Sequence, residues 1–217
     1  MLQRFLSYAN QERLFSKSSR ILLAVSGGID SMVMACLFRD AGITHEIAHC
    51  NFSLRGRESD GDERFVVRYG SRLGIKVHTT RFDTLGHAAS RKISVQMAAR
   101  ELRYEWFDTL VNRGGFDAVA VAHNLDDNIE TFIINLLRGT GISGLTGMSP
   151  RHQNVIRPLL FAPRDDISAW AAEKKVRYRE DSSNAGLKYG RKMIRYIIIP
   201  DLDKVRPGAR NALTATM

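Results

Sequence analysis

Apolar residues along this chain fall into two rhythms. Short runs at residues 21–25, 44–50, 76–80, 118–122 and 155–160 have strand length and strand-like composition. Between them, apolar positions recur at three- and four-residue intervals, which predicts helices over 31–40, 61–73, 94–113, 125–138 and 164–174. Strands that alternate with helices predict an α/β fold, a doubly wound, mainly parallel five-stranded sheet. Ligands of such sheets bind at the carboxyl ends of the strands. The pattern divides the chain into a domain over 1–160 and a small helical, basic extension over 161–217. The segments 52–61 and 139–147 read as loops, the second with four glycines in nine residues. A loop of that kind can close over a substrate or serve as a packed connector.

The first predicted strand runs into Ser26-Gly27-Gly28-Ile29-Asp30-Ser31, and a helix follows at once. Two glycines let backbone N–H groups converge, and the helix start adds unpaired N–H groups and the positive end of its dipole. The serines add hydroxyls, so the turn is a phosphate cradle. Asp30 would repel a phosphate unless a cation lay between them, which makes it a candidate magnesium ligand. A Walker A loop would need a Gly-Lys-Ser/Thr ending, and a dinucleotide fingerprint a third glycine; neither is present.

Three further clusters fall at strand ends or helix starts. His49-Cys50-Asn51-Phe52-Ser53-Leu54-Arg55-Gly56 follows the second strand. From there His49 and Asn51 can reach an adenosine and Arg55 a phosphate, although local chemistry alone reads as a polar loop. Arg100 and Arg103 share a helix face, where they can neutralise a transferring phosphoryl group or pair with Glu101 or Glu105. Asp127 and Glu130, with Asp126 beside them, open the fourth helix after His123. Paired acids there can hold magnesium or a cationic amine, and they also suit the helix dipole. Near the C-terminus, Arg191, Lys192 and Arg195 lie on an amphipathic stretch between Tyr189 and Tyr196.

Charge sharpens this picture. The chain of 217 residues carries a net +9, and residues 151–217 hold 14 Lys/Arg against 7 Asp/Glu. That is the footprint expected of a nucleic-acid contact, or of a solvated basic surface. No apolar stretch has the length of a membrane span, and the N-terminus lacks a signal-peptide core, so a cytoplasmic location is expected. The two cysteines, Cys36 and Cys50, lack the spacing of a metal or redox pair.

SGGIDS resembles the PP-loop of the N-type ATP pyrophosphatases, which implies ATP cleaved between its α and β phosphates. In order along the chain, SGGIDS, HCNFSLRG, ARELRY, AHNLDDNIET, LLRGTGISGLTGM, RPLL and EDSSN resemble the tRNA(Ile)-lysidine synthetases over nearly the full length. That resemblance implies adenylation of the wobble cytidine of a CAU anticodon and attack by free L-lysine, so the implied partners are ATP, magnesium, L-lysine and tRNA(Ile), with no membrane. A homodimer is carried as an expectation. By matched position, Ser26, Gly27, Gly28, Ile29, Asp30 and Ser31 would hold the ATP phosphates, with magnesium on Asp30 and Asp127. Asp127 and Glu130 would take the lysine ammonium or share magnesium with Asp30, and Arg103 with Arg100 would stabilise phosphoryl charge. Arg195 would meet the lysine carboxylate or the nucleotide. Asn124, Asn128 and Lys192 depart from residues common in the family. Family members continue into C-terminal domains that grip tRNA, so this chain is expected to keep ATP binding and lose much of the tRNA affinity. A tRNA thiolase of the same superfamily is the rival enzyme, and it would want paired cysteines. A non-catalytic ATP-binding module and a plain RNA-binding domain are the rivals of other classes.

Overall fold

The computed structural model describes residues 1–141, 145–180 and 193–217. In chain order the elements are α1 (Leu2–Gln11), β1 (Arg20–Ala24), α2 (Ile29–Asp40), β2 (Thr44–Asn51), α3 (Arg57–Leu73), β3 (Val77–Arg81), α4 (Thr84–Arg91), α5 (Val95–Gly114), β4 (Ala118–Ala120), α6 (Leu125–Leu137), β5 (Arg151–His152), β6 (Val155–Ile156) and α7 (Arg164–Glu173). A π-helical turn, Ile194–Ile198, then leads into α8 (Ile199–Val205) and α9 (Ala209–Thr216).

Among the described residues the sheet has six strands, in the order β3-β2-β1-β4-β6-β5. All neighbours are parallel except β5, which pairs antiparallel with β6. The expected five-stranded parallel sheet is therefore present with one short strand added at its edge. The sequence gives β5 no signal, because Arg151 and His152 are both exposed and too few to show alternation. The helix α1 was not expected either, nor was α4, whose start is capped by the Asp83 side chain accepting from the Gly86 N–H at 2.9 Å.

Side chains alternate across β1 and β2, and this divides the core. Leu22, Ala48 and Val119 face Phe107 and Val111 of α5. Ile21, Leu23, Val25 and Ile47 face the other way, onto α2, α1 and Val66 of α3. Helix α7, within the segment expected as an extension, joins this second core through Ile167, Trp170 and Ala171. A separate cluster forms where Ile194 and Ile199 meet Ile129, Phe132 and Ile133 of α6. That packing brings the C-terminal helices to the mouth of the sheet, beside β1 and β4. Residues 142–144 of the glycine-rich segment, and most of the EDSSN and Arg191-Lys192 stretch, lie outside the described residues. The other expected loop is a short turn, after which α3 begins at Arg57.

Candidate active site

The junction of β1 and α2 is built as a cradle. Gly27 adopts φ +96°, a conformation open to glycine at little cost. Gly28 caps α2 without any side-chain hydrogen bond, so the first-turn N–H groups are not taken up by a capping side chain. The serines brace the turn: the Ser31 hydroxyl donates to the Gly28 carbonyl at 2.8 Å, and the Gly28 N–H donates to Ser26 Oγ at 3.2 Å. A strap from the C-terminal side holds the loop from outside. The Arg179 N–H donates to the Gly27 carbonyl at 2.9 Å, and its guanidinium pairs with the buried Asp62 of α3.

A cavity of about 250 Å³ opens from this cradle. Its polar end is Ser26, Gly28, Asp30 and Ser31; its apolar end is Cys50, Phe52, Tyr104 and Phe107. Arg103 enters from α5 with its guanidinium over the Phe52 ring, 5.1 Å from the centroid. On the far side of the cradle a second, larger chamber of about 550 Å³ is lined by Asp30, Arg164, Tyr178 and Arg179.

Asp30 lies between these spaces. Asn124, fully buried, donates to it from Nδ2 at 3.1 Å, and Arg164 sits 3.4 Å away. Burial raises the Asp30 carboxyl above its ordinary pKa; Arg164 opposes the shift and the charge of Asp127 adds to it. Asn124 also caps α6, accepting from the Asp127 N–H at 3.0 Å while the Asp127 carboxylate accepts from the Asn124 N–H at 3.1 Å. One asparagine thus orients both carboxylates that the sequence offers to a metal. In the sequence Asn124 stands out only as a departure from the family pattern.

Asp127 and Glu130 do meet on one face of α6, and Arg195 reaches both, 3.1 Å from Asp127 and 2.5 Å from Glu130. The π-helical turn at 194–198 carries Arg195 there. Asp126 points elsewhere and ties the fold together, accepting from the Arg164 N–H at 2.8 Å and lying 3.3 Å from Arg210.

Other expected contacts are not made. His49 and Asn51 alternate with Cys50 on β2, so they face α3 instead of the cavity. The His49 Nδ1 bonds the Val25 carbonyl at 2.8 Å, and Asn51 donates to Asp60 and Glu63. Burial lowers the His49 pKa, which keeps the ring neutral. Arg55 is held by Asp62 at 2.7 Å. Arg100 parts from Arg103: it stacks on Tyr104 and faces a different cavity. The residues missed there, Cys50 on β2 and Phe52 just after it, follow from the same alternation once the inward face is known. Cys36 and Cys50 are free thiols in the two cores on opposite sides of the sheet, and burial pushes Cys50 up to about 12.

The sheet order, the glycine turn and the polar-to-apolar cavity define a PP-loop architecture. The PP-loop domain family matches residues 2–202. A curated tRNA(Ile)-lysidine synthase of Porphyromonas gingivalis is 47% identical over 208 residues, 95% of this chain and 46% of that protein. One from Chlorobaculum tepidum is 43% identical, covering 93% of this chain and 62% of that protein. One from Petrotoga mobilis is 35% identical, covering 94% and 67%. The chain belongs to the PP-loop family, on its tRNA(Ile)-lysidine synthase branch. It spans about half the length of the curated Porphyromonas and Bacteroides relatives that it matches. Among solved structures, a U34-tRNA thiolase from Methanococcus maripaludis superposes with a TM-score of 0.78 at 21% identity, covering 97% of this chain and 75% of that one. An NH3-dependent NAD synthetase from Campylobacter jejuni does so at 0.56 and 14% identity, covering 100% and 91%. These two show the fold alone.

Proposed function

We propose that this chain is the catalytic part of a tRNA(Ile)-lysidine synthetase. The observation that carries the reading is the cavity running from the β1–α2 cradle to an apolar end. Its polarity is that of a nucleotide: phosphates on the helix N-terminus and serine hydroxyls, adenine between Phe52, Tyr104 and Phe107.

Magnesium fits the residues present. Asp30 and Asp127 face one crevice, and the raised pKa of Asp30 marks buried negative charge that a cation would offset. Asp30 and Asp127 would hold the ion, with phosphate oxygens completing the shell, as magnesium prefers. When bound, it supplies charge neutralisation on the phosphates.

The chain's own residues account for the rest. The C2 oxygen of the wobble cytidine attacks the α-phosphorus, the bond to the β-phosphate oxygen breaks, and pyrophosphate leaves. Arg103 stands at the cavity wall to meet charge developing at that phosphorus. Arg164 and Arg179 line the chamber into which pyrophosphate would pass. The lysine ε-amine, deprotonated, then attacks C2 and AMP leaves. Asp127 and Glu130 would position that amine, since they already hold a cationic side chain. The reading places the protein in the cytoplasm; among the described residues no helix is long and apolar enough to cross a membrane.

The thiolase alternative loses support, because Cys36 and Cys50 lie on opposite sides of the sheet. The direct test incubates protein, ATP, magnesium, labelled lysine and a CAU-anticodon tRNA. Label in RNA, with equal AMP and pyrophosphate, is expected; sulfur-donor-dependent modification without lysine incorporation would reverse the assignment.

A further inference from the structure

Tyr104 walls off a further cavity, of about 320 Å³, from the nucleotide pocket. Arg100, Glu101 and Asp108 of α5 line one side, the β5–β6 turn and Arg157 the other. Arg157 is only 8% exposed. Nη1 donates to the Ser149 carbonyl at 2.7 Å and the Tyr104 hydroxyl also bonds the guanidinium, whereas Nε is buried with no partner among the described residues. Among the described residues, no carboxylate pairs with this guanidinium. Neither acid of the cavity faces the guanidinium: Glu101 lies 3.2 Å from His87, and Asp108 accepts from Asn154, also on the cavity wall, at 2.8 Å. Arg100 adds a second cation, held over the Tyr104 ring at 4.7 Å. Burying a guanidinium without a counter-charge is costly, and a cavity that keeps one beside a second arginine suits an anion brought from outside.

We propose that this cavity seats a backbone phosphate of single-stranded RNA beside the nucleotide being modified, with Arg100 and Arg157 on its oxygens. The RNA identity rests on the function proposed above. A strand whose base enters the nucleotide cavity must run its backbone close by, and Tyr104, at that cavity's apolar end, is the one residue among the described ones that the two cavities share. Two guanidiniums match phosphate oxygens, and the neighbouring tyrosine suits an unpaired strand. Burial lowers the Arg157 pKa, the Tyr104 hydroxyl opposes that shift and Arg100 adds to it, and an anion would relieve the remainder.

The test titrates the protein with a labelled 5′-phosphorylated CAU trinucleotide at several salt concentrations. Cytidine and inorganic phosphate serve as separate probes, and the Arg157 Nε–H resonance is followed by NMR. Arg100→Gln and Arg157→Lys are compared with the parent, and ATP affinity checks that the folded cradle is intact. Both variants are expected to bind the trinucleotide about tenfold more weakly; the salt slope drops by about 0.7 in Arg100→Gln, which loses a charge, and holds in Arg157→Lys, which keeps one. ATP affinity stays unchanged, and the Arg157 resonance moves with the trinucleotide but not with cytidine. Unchanged trinucleotide affinity and slope in both variants would overturn the proposal. So would a resonance that moves equally with inorganic phosphate, which would make this a free-anion site. An Asp30→Ala protein that still bound magnesium–ATP would instead undo the functional reading and leave these outcomes standing.

Discussion

Arg195 reaches across the crevice to Glu130, with Nε 2.5 Å from a carboxylate that is 1% exposed. A second nitrogen lies 3.1 Å from Asp127. The paired acids of α6 therefore hold a cation belonging to the chain itself. A lysine ammonium would meet these carboxylates by joining or displacing that guanidinium.

Arg195→Gln is expected to destabilise the fold by roughly 2 kcal/mol, because Glu130 keeps its charge while its guanidinium partner goes. Arg195 is one-quarter exposed, which holds the loss below that of a fully buried pair. Adding Glu130→Gln should recover part of it in chemical denaturation, the signature of a coupled pair. A double variant as weak as the sum of the singles would show that the two side chains act independently.

Asp30 carries a pH dependence whose sign is fixed by its environment. Burial raises its folded pKa above the unfolded value near 3.8. The native state therefore binds more protons, and stability falls as pH rises from the unfolded value through the raised one. Asp30→Asn should make the nucleotide-free protein more stable at pH 7 and leave it unchanged in acid below that window. The same variant should lose magnesium–ATP affinity, a trade common at functional sites. Melting curves across pH, with parallel ATP titrations, read both effects.

Gly27 tests the cradle geometry without changing charge. Its φ of +96° strains any L side chain, and an added Cβ would lie 3.5 Å from Phe65. Gly27→Ala should cost about 1–3 kcal/mol in backbone strain and weaken ATP binding, because the N–H groups turn away. Loss of stability with ATP affinity intact would mean that the turn does not hold phosphate.

Arg103→Ala should lower the rate of pyrophosphate release by about 100-fold with a smaller change in ATP affinity. Arg100→Ala should leave the adenylation of saturating tRNA much closer to the parent. The two arginines share a sequence spacing, yet only Arg103 enters the nucleotide cavity.

Much of this was legible in the sequence because local rules carry it. The glycine turn, the apolar runs and the helix periods fix the cradle and the doubly wound sheet. The parity of β2 was not legible: which of His49 and Cys50 faces inward depends on where α3 and α5 pack. Asn124 shows the same limit, since its bond to Asp30 spans 94 positions. The cavity beside Arg157 depends on the β5–β6 hairpin, whose outer strand has two exposed residues and no pattern. The family resemblance makes Arg195 a ligand for a substrate group, whereas its closeness to Glu130 arises from packing of the π-helical turn on α6.

The central claim is where the nucleotide lies, and a crystal grown with magnesium and a non-hydrolysable ATP analogue tests it most directly. The account predicts phosphates on the N–H groups and hydroxyls of Ser26–Ser31, the ion on Asp30 and Asp127, and adenine against Phe52 and Phe107. A triphosphate bound away from Gly27 and Gly28, with that turn empty, would contradict it.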